Sequence, residues 1–561
     1  MTDMAIHPGL VLVLGGLVLP WLRGAVRSAA ILALPVVALV FLWALPEGVA
    51  WQLPFLGHGL APLQVDKLSR LFATIFALMA GGGGLYALGQ ASRVEVPAAF
   101  VYAGSAIGVA LAGDLVTVFV FWELMAIAST LVLWSAGTRA SYRSAGRYLM
   151  IHLLGGMILF AGVTGHIAQT GSVAFTRMAL DTPAHWLMLV GFLINAGAPP
   201  LSAWLPDAYP EASWSGTVFL SAFTTKSAVY VLIRGFPGNE LLVWIGLFMA
   251  FYGIVYALLE NDMRRILAYS IVNQVGFMVA GIGIGTEMAL NGAAAHAFVH
   301  IIYKGLLLMS AGSVLYVTGR RKCSELGGLF HTMPLTTICG TIGALAISAF
   351  PLTSGFVSKS MITQAAADGR LTVVWLLLAA ASAGVFLHAG IKFPWFVFFQ
   401  KDSGLRPPEP PASMRAAMVF FSFLCIAIGV WPEPLYRLLP YTVDYQAYTA
   451  AHVVTQLQLL LFSGLAFFLM LRYLKRTLTV TLDTDWLWRR LLPPLVATGT
   501  RHVVAFNAAI GAGVNRTSAR LVERMRRQRA PESALARSGP TGSMALWVLV
   551  LLLGYLALYY L

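Results

Sequence analysis

Glu123 stands in Phe119-Val120-Phe121-Trp122-Glu123-Leu124-Met125, a carboxylate inside an otherwise apolar run. Lys226 lies in Thr224-Thr225-Lys226-Ser227-Ala228, and Lys359 in Gly355-Phe356-Val357-Ser358-Lys359. His296, His300 and Lys304 follow one another at i, i+4 and i+8, which puts all three on one face of one helix. Each can accept and pass a proton, so such a stripe at membrane depth suits a proton relay. The plainer reading is that His and Lys near a helix end snorkel or cap carbonyls. His388 and Lys392 repeat the i, i+4 spacing. Lys392 falls close to the expected cytoplasmic end of its span, where snorkelling and an exit role are both open.

These residues matter because of what surrounds them. The chain has 561 residues, 58% hydrophobic and 11% charged, with a mean hydropathy of +0.78. Soluble domains carry about 25% charged residues, so an ordinary globular protein is excluded. Apolar runs of about 20 residues recur from end to end, long enough to span a bilayer as helices. The alternation of a closed β-barrel is absent. The expected fold is an all-α polytopic membrane bundle. In that setting a charge at the bilayer centre costs at least about 2.5–3.5 kcal/mol, so buried ionisable residues are functional candidates.

About sixteen spans are expected, near 8–22, 28–46, 68–89, 98–113, 114–134, 148–168, 185–205, 212–235, 240–260, 264–285, 289–318, 334–365, 372–400, 411–432, 452–475 and 544–561. Alternate loops hold Arg23 and Arg27; Arg93; Arg139, Arg143 and Arg147; Arg264 and Arg265; Arg320, Arg321 and Lys322; Lys401, Arg406 and Arg415. The positive-inside rule makes those loops cytoplasmic and both termini external. The net charge of +14 therefore reads as loop anchoring and not as nucleic-acid binding. From Leu471 to Pro540 thirteen Lys or Arg face four acids, with Trp486 and Trp488 among them. Residues 476–543 read as a helix on the cytoplasmic membrane surface, or as a basic linker. The first eight residues lack the basic start of a cleavable signal peptide, so the first apolar segment is expected to stay as a membrane helix. Cys323, Cys339 and Cys425 show no ligand spacing, so neither a metal site nor a disulfide framework is expected.

Two spans are interrupted. Residues 195–206 include Gly197-Ala198-Pro199-Pro200-Leu201-Ser202, and residues 348–359 include Phe350-Pro351-Leu352-Thr353-Ser354-Gly355. Proline inside a helix frees a carbonyl, tolerated in a membrane only where protein or water satisfies it. Paired broken segments in two halves of a chain point to inverted repeats around an ion path.

In combination, Phe121-Trp122-Glu123-Leu124-Met125, Trp204-Leu205-Pro206-Asp207-Ala208-Tyr209-Pro210-Glu211-Ala212 and Arg264-Arg265-Ile266-Leu267-Ala268-Tyr269-Ser270 resemble the antiporter-like subunits of Mrp-type sodium/proton antiporters and respiratory complex I. The D-type subunits of the Mrp antiporters are the nearest resemblance, over roughly residues 60–430. It implies N-terminal helices in 1–97, five-helix repeats in 98–235 and 240–400 with one broken helix each, and peripheral helices in 411–475. The basic segment 476–543 and a last helix in 544–561 follow.

The resemblance also implies an ion-pairing role for Glu123, a partner lysine at Lys226, and a central relay at His300 and Lys304. Lys359 falls to the second broken helix, near the exit. Where relatives have a lysine before the first break, this chain has Asn195, and where they commonly have a histidine it has Ser202. Lys226 is therefore expected to replace the missing lysine as partner of Glu123. The implied function is an ion-translocating subunit of a multi-subunit inner-membrane antiporter moving H+ and Na+. A proton-pumping membrane-arm subunit of a complex I-like or hydrogenase assembly, an inorganic-carbon-uptake subunit, and a scaffold with a decayed channel are the alternatives. The sequence holds no GxGxxG, cysteine cluster or haem motif, so no cofactor, metal or redox chemistry is expected in this chain.

Overall fold

The computed structural model describes residues 5–473, 483–528 and 541–560. The chain enters through α1 (Pro8–Val18) and α2 (Gly24–Ala44), then turns into a hairpin of β1 (Gly48–Phe55) and β2 (His58–Val65). The all-α membrane bundle expected from the sequence holds, and this two-stranded hairpin is an addition to it. Leu56 and Gly57 both take positive φ at the turn, the geometry two-residue hairpins need. Leu in place of Asn, with Pro54 and Pro62 in the strands, hides the usual signal.

A first group of helices follows: α3 (Lys67–Tyr86), α4 (Glu95–Leu111), α5 (Leu115–Trp134), α6 (Arg139–Thr170), α7 (Pro183–Ala196), α8 (Trp204–Ala208), α9 (Gly216–Leu220) and α10 (Thr224–Gly235). A second comprises α11 (Glu240–Leu259), α12 (Met263–Ile284), α13 (Glu287–Thr318), α14 (Pro334–Ile347), α15 (Ser354–Asp368) and α16 (Thr372–Val385), the last continuing in wide turns to Phe399. Then come α17 (Ala412–Val430), α18 (Glu433–Tyr436) and α19 (Ala450–Leu469). Among the described residues twelve helices are long and apolar enough to cross a membrane. Four shorter apolar ones occupy 8–21, 95–111, 183–196 and 334–347, the last two cut short at the breaks.

Local chemistry sets the ends. Thr138 and Thr286 accept the amides of Ser141 and Ala289 to start α6 and α13, and Gly171 and Gly319 end them in the left-handed region. Such caps satisfy amides and carbonyls that the helix leaves free. α12 and α13 form the buried core. α11 meets α12 so closely that a side chain at Gly276 would strike the Gly246 carbonyl at 2.5 Å, the small-residue packing that membrane helices use.

The first compact unit runs to Asp485. Asp483 accepts from Tyr252 and Tyr269 (2.6–2.8 Å), so residues 483–485 of the expected surface segment belong to this unit. The second unit, from Trp486, holds α20 (Leu492–Gln528) and α21 (Thr541–Tyr560). Residues 476–482 and 529–540 of the segment lie outside the described residues.

Candidate functional site

Both helix breaks leave carbonyls to be satisfied, and each is met differently. At the first, Gly197 takes φ 77° and closes α7, and Trp204 donates its indole N–H to the Ile194 carbonyl (2.9 Å). At the second, Ala349 and Leu352 take positive φ, and Lys359 Nζ donates to the Ile347 carbonyl (3.0 Å). A cation at the carbonyl end of a helix is electrostatically favoured, so the break explains how a buried lysine is held.

Lys226 follows the same logic. The chain is irregular between α9 and α10, and Lys226 Nζ turns back to the Ser221 carbonyl (2.7 Å) and to Thr225 Oγ1 (3.0 Å). The expected pair with Glu123 is therefore corrected: no ion pair joins them among the described residues. Lys226 instead spends its ammonium on oxygens of its own segment.

Those three residues are fully buried. Lys304 Nζ donates to Ser270 Oγ (2.8 Å). His296 shares Nδ1 with Ser358 Oγ (3.0 Å) and Nε2 with Gln274 Oε1 (3.2 Å), and Tyr303 donates to the same Gln274 oxygen (3.1 Å). Neither nitrogen of His300 has a hydrogen-bond partner. Beyond Ser358 comes Lys359, whose ammonium lies 4.9 Å from the Phe277 ring centroid. It lines a cavity of about 380 Å³ with Thr363, Gln364, Ser382, His452 and Gln456. His452 Nε2 meets Gln364 Oε1 at 3.1 Å.

Glu123 stands apart from this group. Its Oε1 is buried without a hydrogen-bond partner and presses against Gly156 of α6, where a methyl group would overlap it. Asn195, 1% exposed, has neither amide atom partnered and packs against neighbouring Gly155. The Ser202 hydroxyl is likewise buried and unpartnered. A hydroxyl net links α4, α5, α6 and α10: Ser129 to Tyr148 (2.9 Å), Tyr148 to Thr224 (3.4 Å) and Thr224 to Tyr102 (2.5 Å). Buried polar atoms of this kind need partners or water.

His388 places Nδ1 on the Gly384 carbonyl (2.8 Å) and leaves Nε2 unpartnered. Lys392 is 3% exposed. It donates to the carbonyls of Ala257, Leu258 and Glu260 (2.5–3.1 Å), capping the end of α11.

Sequence reasoning missed His152, Gln274 and His452. His152 lies four residues before Gly156, a spacing that marks a shared face, but a lone histidine on an apolar helix carries no further signal. Gln274 and His452 are recognisable only once the helices are packed.

The motifs that carried the family resemblance do other work. Arg147 grips Asp207 through two bonds (2.7 and 2.8 Å). Arg264 donates to the carbonyls of Ala212 and Ser213 (2.9 and 2.7 Å), and Arg321 pairs with Asp262 and Glu211. They clamp the loops of the two helix groups together at one end.

Residues 112–386 match the family described as NADH:quinone oxidoreductase/Mrp antiporter, transmembrane. An uncharacterised protein of Mycobacterium tuberculosis is 32% identical over 428 residues, 68% of this chain; the chain spans 66% of that relative's length. A D-type Na(+)/H(+) antiporter subunit of Alkalihalophilus pseudofirmus is 28% identical over 412 residues, 68% of this chain and 83% of its own. A chain of an archaeal respiratory complex, the membrane-bound sulfane sulfur reductase, superposes with a TM-score of 0.71 at 22% identity, covering 98% of this chain and 99% of its own. The chain is a multi-span membrane protein and belongs to the antiporter-like subunit family shared by Mrp antiporters and NADH:quinone oxidoreductase.

Proposed function

We propose that this chain is the ion-translocating subunit of a multi-subunit inner-membrane antiporter, exchanging protons for a monovalent cation, Na+ in the first instance. The observation that carries the reading is the set of polar side chains inside the helix bundle: Tyr148, Thr224, Lys226, His296, His300, Lys304 and Lys359 are buried, and half-buried Glu123 keeps its Oε1 without a partner. Their burial is too costly to be kept for packing alone.

Glu123 is the group that takes up the cation or a proton, since its carboxylate oxygen has no other partner. A change of charge there alters the field on Lys226. Lys226 in turn repels positive charge on His300 and Lys304. Two like charges about 8 Å apart at an effective dielectric near 20 repel by about 2 kcal/mol, enough to shift a proton more than tenfold. The displaced proton moves by way of His296 and Ser358 to Lys359 and out through the cavity at His452. With both termini external, that cavity faces the outside.

Everted vesicles holding the complete complex test the reading. Dissipation of a proton gradient on adding Na+ is expected, and its absence for every monovalent cation overturns it. A second reading is favoured by the superposition on a respiratory-complex chain over nearly the whole length: the same file would move protons in the membrane arm of a redox assembly. Mass spectrometry of the affinity-purified complex separates the two, because only the redox assembly co-purifies quinone- or sulfur-reducing subunits.

A further inference from the structure

α6 and α13 are matched helices. Each has 32 residues, a threonine N-cap and a left-handed glycine at its end. Counted from their first residues, His152 and His300 are both the fourteenth, Tyr148 and His296 both the tenth, and Gly156 and Lys304 both the eighteenth. Where α13 follows its histidine with a lysine one turn on, α6 has bare backbone, and the Glu123 carboxylate fills the space.

The chemistry of His152 is set by its neighbours. The ring is 1% exposed, stacks on Tyr148 at 3.9 Å and meets Trp204 edge-on at 4.6 Å. Its Nδ1 lies 2.9 Å from the Tyr148 carbonyl. A carbonyl only accepts, so Nδ1 carries the hydrogen and Nε2 of the neutral ring is a bare base. That Nε2 is buried with no hydrogen-bond partner. Side chains at i and i+4 on a helix face sit about 5–6 Å apart, and Glu123 Oε1 stands where a side chain at Gly156 would begin.

We propose that His152 is the proton partner of Glu123, taking the role that Asn195 cannot perform. The O–H bond of protonated Glu123 breaks and an N–H bond forms at His152 Nε2, directly or through one water, leaving a carboxylate beside an imidazolium; the reverse step restores both. The first half thus carries an acid–histidine pair where the second carries His300 and Lys304. Asn195 Oδ1 lies 3.7 Å from where a side chain at Gly155, the residue before Gly156, would begin, and a lysine at 195 would carry the proton that asparagine cannot.

This inference rests on the antiport reading, so Glu123→Gln, His152→Gln, His152→Phe and His152→Gln with Asn195→Lys are compared in everted vesicles carrying the full complex. Gln keeps polarity and Phe keeps the stacking, while neither carries a proton. Both single His152 variants are expected to assemble and to lose exchange at least about tenfold, the scale of a missing proton-transfer group. Adding Asn195→Lys is expected to restore exchange with its pH optimum moved upward, because lysine titrates about four units above imidazole. Near-wild-type exchange in His152→Gln, beside loss in Glu123→Gln, overturns the inference and leaves the antiport reading standing. Exchange that survives Glu123→Gln overturns both. Loss without rescue, or failure of both His152 variants to assemble, makes the ring structural and overturns the inference.

Discussion

The two helix groups, α4–α10 and α11–α16, bury charge in opposite ways. In the second group almost every ionisable atom is held: Lys304 by Ser270, His296 by Ser358 and Gln274, Lys359 by the Ile347 carbonyl. In the first, Glu123 Oε1, His152 Nε2 and both amide atoms of Asn195 lack partners. His300 and the Nε2 of His388 are the exceptions in the second group, and His300 is the positional match of His152. A held group keeps its charge at lower cost than one without a partner. A group without a partner is one whose proton or counter-ion comes and goes. In the proposed mechanism the contrast corresponds to ion uptake in the first group and directed transfer in the second.

The largest effect follows from removing the only carboxylate of α5. Glu123→Gln keeps shape and loses charge, and exchange in everted vesicles is expected to fall by at least about a hundredfold with assembly intact. Activity near wild type breaks the comparison at its root. Lys226→Met comes next, with a loss of about tenfold or more. Combined with His300→Gln it is expected to do little further harm, because groups acting in series are non-additive. Losses that multiply would show that Lys226 and His300 serve separate paths.

Much of this was legible in the sequence, for reasons that can be named. Glu123, Lys226, Lys359 and the His296–His300–Lys304 stripe stand out because charge in an apolar run is costly whatever the fold. The breaks at 197–203 and 349–353 were visible because proline and glycine act locally. The pairing of Lys226 with Glu123 was not legible. It depends on the free carbonyl of Ser221 between α9 and α10, and side-chain direction there is a tertiary fact. His152 stayed hidden because its meaning comes from Glu123 on another helix, and the hairpin because its turn lacks the usual residues. Lys392 stayed ambiguous for the same reason: a lysine near a span end looks the same in sequence whether it snorkels, caps or serves an exit.

A middling effect sharpens the geometry on α6. Gly156→Ala puts a methyl group into the space of Glu123 Oε1, so the carboxylate must move and exchange is expected to fall several-fold. Gly146→Ala, on the same helix with open space around it, is expected to leave exchange unchanged and to stabilise by about 0.5–1 kcal/mol through helix propensity. Equal behaviour of the two would mean that the Glu123 carboxylate is not seated on α6.

The smallest effect on transport is expected at Lys392, and it separates carriers from caps. Lys359 and Lys392 are both buried lysines of the second group, 2% and 3% exposed. Lys359 gives one bond to a carbonyl and borders a cavity. Lys392 spends its three N–H donors on three carbonyls at the end of α11, which leaves no vacancy for a transfer partner. Lys392→Met should therefore keep exchange within about twofold while lowering stability by about 1–3 kcal/mol, the cost of carbonyls left unsatisfied. Thermal unfolding of the detergent-solubilised complex reads the second quantity and vesicle exchange the first. Lys359→Met should do the reverse, losing exchange with a smaller change in melting. If Lys392→Met instead abolishes exchange without lowering the melting temperature, the lysine is a carrier, and partner count no longer distinguishes held groups from working ones.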